Sequence, residues 1–190
     1  MAASRRLPGN ARVRTSAAAT SVALVALVAC SPAAPSPASA AGGSGSASAA
    51  RPPDFELPRL DGGSERLSTH FGKDVVLLDF WATFCKPCLR AMPDLDALYR
   101  ARKERGFVVL GVSIDGPGSS ADVQAEVSRL GVSFPILLDQ ESRAVALYNP
   151  RASAPYSVLI GRDGRVLAQR EGYTTGSHDA LERDVDAALR

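Results

Sequence analysis

The stretch Val75-Val76-Leu77-Leu78-Asp79-Phe80-Trp81-Ala82-Thr83-Phe84-Cys85-Lys86-Pro87-Cys88 constrains this chain more than any other. Val75 to Trp81 is apolar at every position except Asp79, the pattern of a strand covered on both faces. Beyond Cys88, Leu89, Met92, Leu95, Leu98 and Tyr99 recur at three- and four-residue spacing, the pattern of a helix with one apolar stripe. A buried strand running directly into a helix predicts an α/β fold. The same junction sets Cys85 at the helix N-terminus and Cys88 one turn further on.

That placement has consequences for thiol chemistry. Helical residues three apart have Cβ atoms roughly 5–6 Å apart, so a small adjustment brings two sulfurs to bonding distance. The ring closed is small and contributes little loop-closure stabilisation, which favours a disulfide that opens and closes in use. The attacking species in exchange is the thiolate, and a free thiol titrates near about 8.5. Lowering that to about 7 requires roughly 2 kcal/mol of preference for the charged form, whereas a helix N-terminus supplies about 0.3–1 kcal/mol. Lys86, a cation beside the sulfur, and the N–H groups of the first turn are expected to supply the rest. Pro87 suits that turn, because its fixed φ matches the helix and its missing donor would be orphaned there. Cys85 is therefore read as nucleophile and Cys88 as resolving thiol. The alternatives are a stabilising disulfide or half of a zinc site; zinc wants four ligands, and the sequence has no second cysteine pair.

Asp79 is the second informative residue. A carboxylate within an apolar strand, six positions before Cys85, is expected to have a raised pKa through desolvation and to exchange a proton with Cys88 through water. The competing reading is a frayed, solvated strand end.

The N-terminal third has a different character. Arg5, Arg6, Arg12 and Arg14 precede an uncharged run from Thr15 to Ala29, the form of an export signal and too short for a comfortable membrane span. Leu27-Val28-Ala29-Cys30 resembles a bacterial lipobox, in which the cysteine is lipidated, and this accounts for the odd count of three cysteines. Cleavage after Ala38-Ser39-Ala40 is the alternative. Residues 1–29 are thus expected to be a signal peptide with Cys30 as lipid anchor, and residues 30–53, rich in Ala, Ser, Gly and Pro, a flexible tether. The whole chain is formally +2; without the four signal arginines, 18 basic face 20 acidic side chains. No basic stripe for nucleic acid remains.

A folded domain is expected over 54–190. Asp54 to Leu60 reads as an edge strand before the Asp61-Gly62-Gly63 turn. Pro93 should kink the active-site helix, and Gly106 should end it. Phe107 to Ile114 is a second apolar strand, closed by Asp115-Gly116-Pro117-Gly118. Helix 121–130, strand 134–138, short helix 142–148, a hairpin of 156–160 with 166–169 and an amphipathic helix 177–189 complete a three-layer sandwich. His178 is read as a first-turn surface residue and His70 as isolated.

Asp-Phe-Trp-Ala-Thr-Phe-Cys-Lys-Pro-Cys resembles the thioredoxin superfamily motif, and the span 54–190 resembles its extracytoplasmic TlpA/ResA-like branch. The resemblance implies a mixed central sheet with an N-terminal edge strand and a central αβ insertion. It implies a cis-proline at Pro155 facing the cysteines, and a substrate groove of Trp81, Phe84, Pro87, Ala154 and Pro155. It further implies disulfide-containing protein substrates, reduction of apocytochrome c or metal-site thiols, a membrane electron donor of the CcdA/DsbD type, and no cofactor or metal. Phe84 stands where Trp is common in the family, Ala91 where many members carry a Glu, and Gly111 where thioredoxin has a lysine paired with the buried acid. Two other functions compete: a peroxiredoxin-like thiol peroxidase, although the Pro expected upstream of its reactive cysteine is absent, and a Cu(I)-binding module using the paired thiolates.

Overall fold

The computed structural model describes residues 52–174 and 176–190. The expected signal peptide 1–29, the anchor Cys30 and the tether as far as residue 51 lie outside the described residues.

Five strands form the central sheet: β3 (Val75–Trp81), β4 (Phe107–Ser113), β5 (Ile136–Leu138), β6 (Tyr156–Ile160) and β7 (Val166–Glu171), in the order β5-β4-β3-β6-β7. β3 pairs in parallel with β4, and β4 with β5; β6 runs antiparallel to both β3 and β7. The sheet is thus mixed. The central position of β3 explains its nearly unbroken apolar run, since both faces and both edges are covered.

Alternation along β3 sorts its side chains into two cores. Val75, Leu77 and Trp81 point to one face and pack with Met92, Leu95 and Leu98 of α1 (Lys86–Arg102), Val123 of α2 (Ser120–Leu130) and Val185 of α4 (Ser177–Ala188). Val76, Leu78 and Phe80 point to the other, against Phe55, Leu57 and Leu67 and against Ala144, Val145 and Tyr148 of α3 (Arg143–Tyr148). Three layers result, as expected. β5 and α3 form the central αβ insertion.

The N-terminal segment makes a hairpin of its own, β1 (Glu56–Pro58) with β2 (Ser64–Arg66), and meets the sheet edge through an Arg59–Leu137 bridge and a bond from Leu60 N to Ile136 O of 2.9 Å. Asp54 ties this segment down by accepting from Ser68 N at 2.9 Å and Ser68 Oγ at 2.7 Å. The two prolines ahead of it also touch the domain: Pro53 O accepts from the Tyr148 hydroxyl, and the Pro52 ring covers Gly164.

α1 runs unbroken through Pro93. A short 3₁₀ turn, Lys103–Arg105, ends at Gly106, whose φ of 83° is a left-handed conformation that costs glycine least.

Candidate active site

The site lies where β3 ends and α1 begins. Cys85 is the N-cap of α1; Lys86 and Pro87 open the helix, and Leu89 N donates to Cys85 O at 3.1 Å. Cys85 and Cys88 form a disulfide with a Cα–Cα distance of 5.3 Å, within the range an unstrained bridge allows. Cys88 N points at Cys85 Sγ, 3.3 Å away, so the first turn already presents a donor to the sulfur that would carry charge after reduction. Cys85 is 7% exposed and Cys88 2%, so a partner reaches the first sulfur more readily than the second. Lys86 is exposed and makes no ion pair or side-chain hydrogen bond among the described residues.

The loop ahead of Cys85 is held by a residue that the sequence reading passed over. Cys85 N donates to Ala82 O at 3.0 Å, closing a turn with Thr83 and Phe84 at its corners. Asp115, buried just past the end of β4, accepts from Thr83 N at 3.1 Å, Thr83 Oγ1 at 2.6 Å and Ser113 Oγ at 2.8 Å. A buried carboxylate must find such donors, because its desolvation is otherwise uncompensated. Parallel pairing makes this possible: Trp81 sits opposite Ser113, and Ile114 N donates to Trp81 O at 2.9 Å, so the two chains leave the sheet side by side. The turn so anchored holds Phe84 outward, 75% exposed next to the disulfide. Trp81, by contrast, is fully buried and its indole N–H has no partner among the described residues; it forms the floor beneath the site and not a surface of it. Its expected place in a substrate groove is corrected accordingly.

Asp79 points to the α1/α4 face and lines a cleft of about 40 Å³ together with Cys88, Ala91, Pro155, Ser157 and Arg170. It is the only residue of β3 that is not fully buried, and the cleft is where it is exposed. A cleft of that size has room for about two waters, enough for a relay between carboxyl and thiol. Asp79 makes no hydrogen bond or ion pair among the described residues, and burial pushes its carboxyl up to about 7. The strand is not frayed at this point, since Asp79 is paired with Gly111 on one side and Ser157 on the other. Gly111 is its register partner on β4, and a Cβ there would meet Ile136 Cδ1 at 2.8 Å and Phe134 Cε2 at 2.9 Å. Those two side chains occupy the place a lysine would need.

The opposite wall of the cleft is the start of β6. The Ala154–Pro155 bond is cis, as the resemblance implied, and Pro155 lines the cleft beside Cys88; Pro155 O accepts from Gly172 N at 2.8 Å. Ala154 is half-buried against the same core as the cysteines.

The two histidines differ from their sequence reading. His178, half-buried in the first turn of α4, lines the cleft with Cys88. His70 is not isolated: its Nδ1 is 2.8 Å from Asp74 Oδ2 and its Nε2 3.3 Å from Glu65 Oε1. Neither contact could be read from sequence, because both depend on how distant turns close. Among the described residues no group of three or more His, Cys, Asp or Glu side chains is arranged to hold a metal ion, and no helix is long and apolar enough to cross a membrane.

Comparison with known proteins agrees with this geometry. A model of the AhpC/TSA family matches residues 49–169. Thiol-disulfide oxidoreductase ResA of Geobacillus kaustophilus is 39% identical over 135 residues, which cover 71% of this chain and 74% of the relative. ResA of Halalkalibacterium halodurans is 36% identical over 122 residues, 64% of this chain and 67% of the relative. Among solved structures, a Chlorobium tepidum protein designated a candidate thiol:disulfide interchange protein DsbE aligns with a TM-score of 0.68 at 34% identity, covering 74% of this chain and 96% of its own. With its Cys-x-x-Cys disulfide at a strand-to-helix junction and relatives of this kind, the chain belongs to the AhpC/TSA family and is a ResA-like thiol-disulfide oxidoreductase of the thioredoxin fold.

Proposed function

We propose that this oxidoreductase is a protein disulfide reductase, exported and tethered to the outer face of a bacterial membrane through lipidated Cys30. The observation that carries the reductase reading is the shared cleft: Cys88 lines it with Asp79, a protonatable carboxyl with no partner among the described residues, while Cys85 sits at the helix N-cap with the greater exposure.

In the reduced protein the Cys85 thiolate attacks one sulfur of a target disulfide, and the target's other sulfur leaves and takes up a proton. A mixed disulfide now joins Cys85 to the target. Cys88 gives its proton to Asp79 through cleft water, and its thiolate attacks Cys85 Sγ. The target's second sulfur leaves and is protonated from Asp79. Two electrons have passed to the target, and the Cys85–Cys88 disulfide is restored. A carboxyl titrating at about 7 suits both halves of this exchange near neutral pH, because acceptor and donor forms are both populated.

Lys86 adds positive potential beside the Cys85 thiolate. Phe84, Pro87, Ala154 and Pro155 form the groove, in which the extended target segment pairs with the backbone around Ala154. The expected substrates are exported proteins with accessible disulfides, such as apocytochrome c or metal-site thiols. Electrons return through a membrane dithiol donor of the CcdA/DsbD type.

Trapping tests this reading. Cys88→Ser in cells should accumulate mixed disulfides through Cys85, and the purified reduced domain should reduce insulin disulfides. Peroxide consumption without insulin reduction would favour a thiol peroxidase, and tight stoichiometric Cu(I) binding without it a copper module. Intact-mass analysis lacking acyl addition at Cys30 would remove the anchor.

A further inference from the structure

The cleft contains a charge that the exchange described above does not use. Asp79 on β3 is the register partner of Ser157 on β6, and Ser157 is the register partner of Arg170 on β7. Register partners share a face, and all three residues line the same cleft. Two strand spacings put the backbone of Arg170 roughly 9.5 Å from that of Asp79, a gap that an extended arginine side chain largely spans. The residue between them is a serine, too short to block the way. The guanidinium is half-buried and paired with Asp184 of α4, which lines a different pocket from Asp79. On the opposite flank of Asp79 the β4 position is closed by Phe134 and Ile136.

From this arrangement we infer that Arg170 is the counter-ion of the ionised Asp79 carboxylate, shared between it and Asp184. The structure shows Arg170 on Asp184, the arrangement the inference assigns to neutral Asp79. When Asp79 takes on charge, the guanidinium turns toward it over Ser157. The other titratable groups facing Asp79 are Cys88 from α1, Tyr173 from the loop after β7 and His178 from α4; Tyr156 of β6 is the register partner of Phe80 and points to the opposite face. Tyr173 is engaged elsewhere, its hydroxyl 3.3 Å from Asp94 Oδ2. Arg170 is therefore a positioning residue: it sets the pH at which the cleft acid ionises. Its relevance to turnover, though not the pairing itself, rests on the role proposed for Asp79.

The test is a ¹³C NMR titration of the Asp79 carboxyl in the oxidised protein, where the cysteines do not titrate. A His178→Gln background keeps the imidazole out of the curve, and loss of the signal in Asp79→Asn assigns it. Arg170→Gln should move the midpoint upward by about half a pH unit or more, because a cation is lost. Asp184→Asn should move it downward, because the guanidinium is released toward Asp79. Arg170→Lys should lie nearer the parent than Arg170→Gln does. Opposite signs distinguish a shared counter-ion from a general loosening of the cleft, which would move both variants the same way. Shifts of one sign, or no shift in either variant, overturn the inference. If Arg170→Gln does not fold, Asp184→Asn decides alone: a downward shift upholds the pairing, and no shift or an upward one refutes it. Opposite shifts with a rate–pH profile untouched by Asp79→Asn would leave the pairing standing and remove the proton relay instead.

Discussion

Replacing Asp79 with Asn should stabilise this protein, and by an amount that depends steeply on pH. The carboxyl is raised from 3.8 to about 7 by burial, so the folded state holds a proton that the unfolded chain releases. At about 1.4 kcal/mol per pH unit, the full displacement corresponds to ~4 kcal/mol. The sign follows from proton counts. Below pH 4 both states are protonated and the acid costs nothing extra; between pH 4 and 7 only the folded state keeps the proton, so stability falls as pH rises. Above pH 7 the folded state carries a desolvated carboxylate and the penalty is complete. Asn has the shape of the neutral acid and never ionises. Urea unfolding of oxidised parent and Asp79→Asn should therefore give nearly equal stabilities at pH 4, differing by less than about 1 kcal/mol, and favour the variant by about 2–4 kcal/mol at pH 8.5. The lower end applies if cleft water and Arg170 relieve part of the burial. A difference that is the same at both pH values would show that Asp79 is solvated like a surface carboxylate, and the relay to Cys88 would lose its basis.

Other consequences follow from particular contacts. Thr83→Val removes the 2.6 Å hydroxyl bond to buried Asp115 and should cost about 1.5–3 kcal/mol in urea unfolding, since one donor to a charged, desolvated acceptor is lost; no measurable loss would mean that Asp115 does not hold the loop. Gly111→Ala forces a Cβ to within 2.8 Å of Ile136 and 2.9 Å of Phe134 and should destabilise by about 1–3 kcal/mol through overpacking, which thermal unfolding would reveal. Phe84→Ala should leave stability within about 0.5 kcal/mol, the side chain being 75% exposed. The same variant should raise KM for a protein disulfide about 5-fold, if about 1 kcal/mol of apolar contact with the target is lost.

Much of this structure could be read from the chain because its informative signals are local. The apolar run Val75–Trp81 and the three-four spacing after Cys88 each reflect the environment of one element, and both elements formed where that pattern placed them. Gly106 and Gly131 mark helix ends for the same reason, each with a left-handed φ where the helix stops. Asp79 was conspicuous because a carboxylate contradicts its strand. Asp115 was not, because an Asp before Gly-Pro-Gly looks like ordinary turn chemistry. Only the parallel pairing of β3 with β4, a contact across 32 residues, brings it to Thr83. His178 followed the same course: its place in the cleft comes from packing α4 against α1, which helical periodicity cannot specify. The signal available for Asp115 was weaker but real. A carboxylate just past the end of an apolar strand that pairs in parallel with the cysteine-bearing strand must lie at the level of the reactive loop. Trp81 was placed in the groove by the resemblance alone, whereas its position as the last residue of the central strand buries it.

The account depends most directly on Cys85 being the activated sulfur. Rapid alkylation of the fully reduced protein with iodoacetamide between pH 4 and 10, read by mass spectrometry for each cysteine separately, measures this. Cys85 should react first, with a midpoint well below the free-thiol value of about 8.5, while Cys88 stays slow until far higher pH. A Cys85 midpoint at the free-thiol value, or Cys88 alkylated ahead of it, would contradict the assignment of nucleophile and resolving thiol.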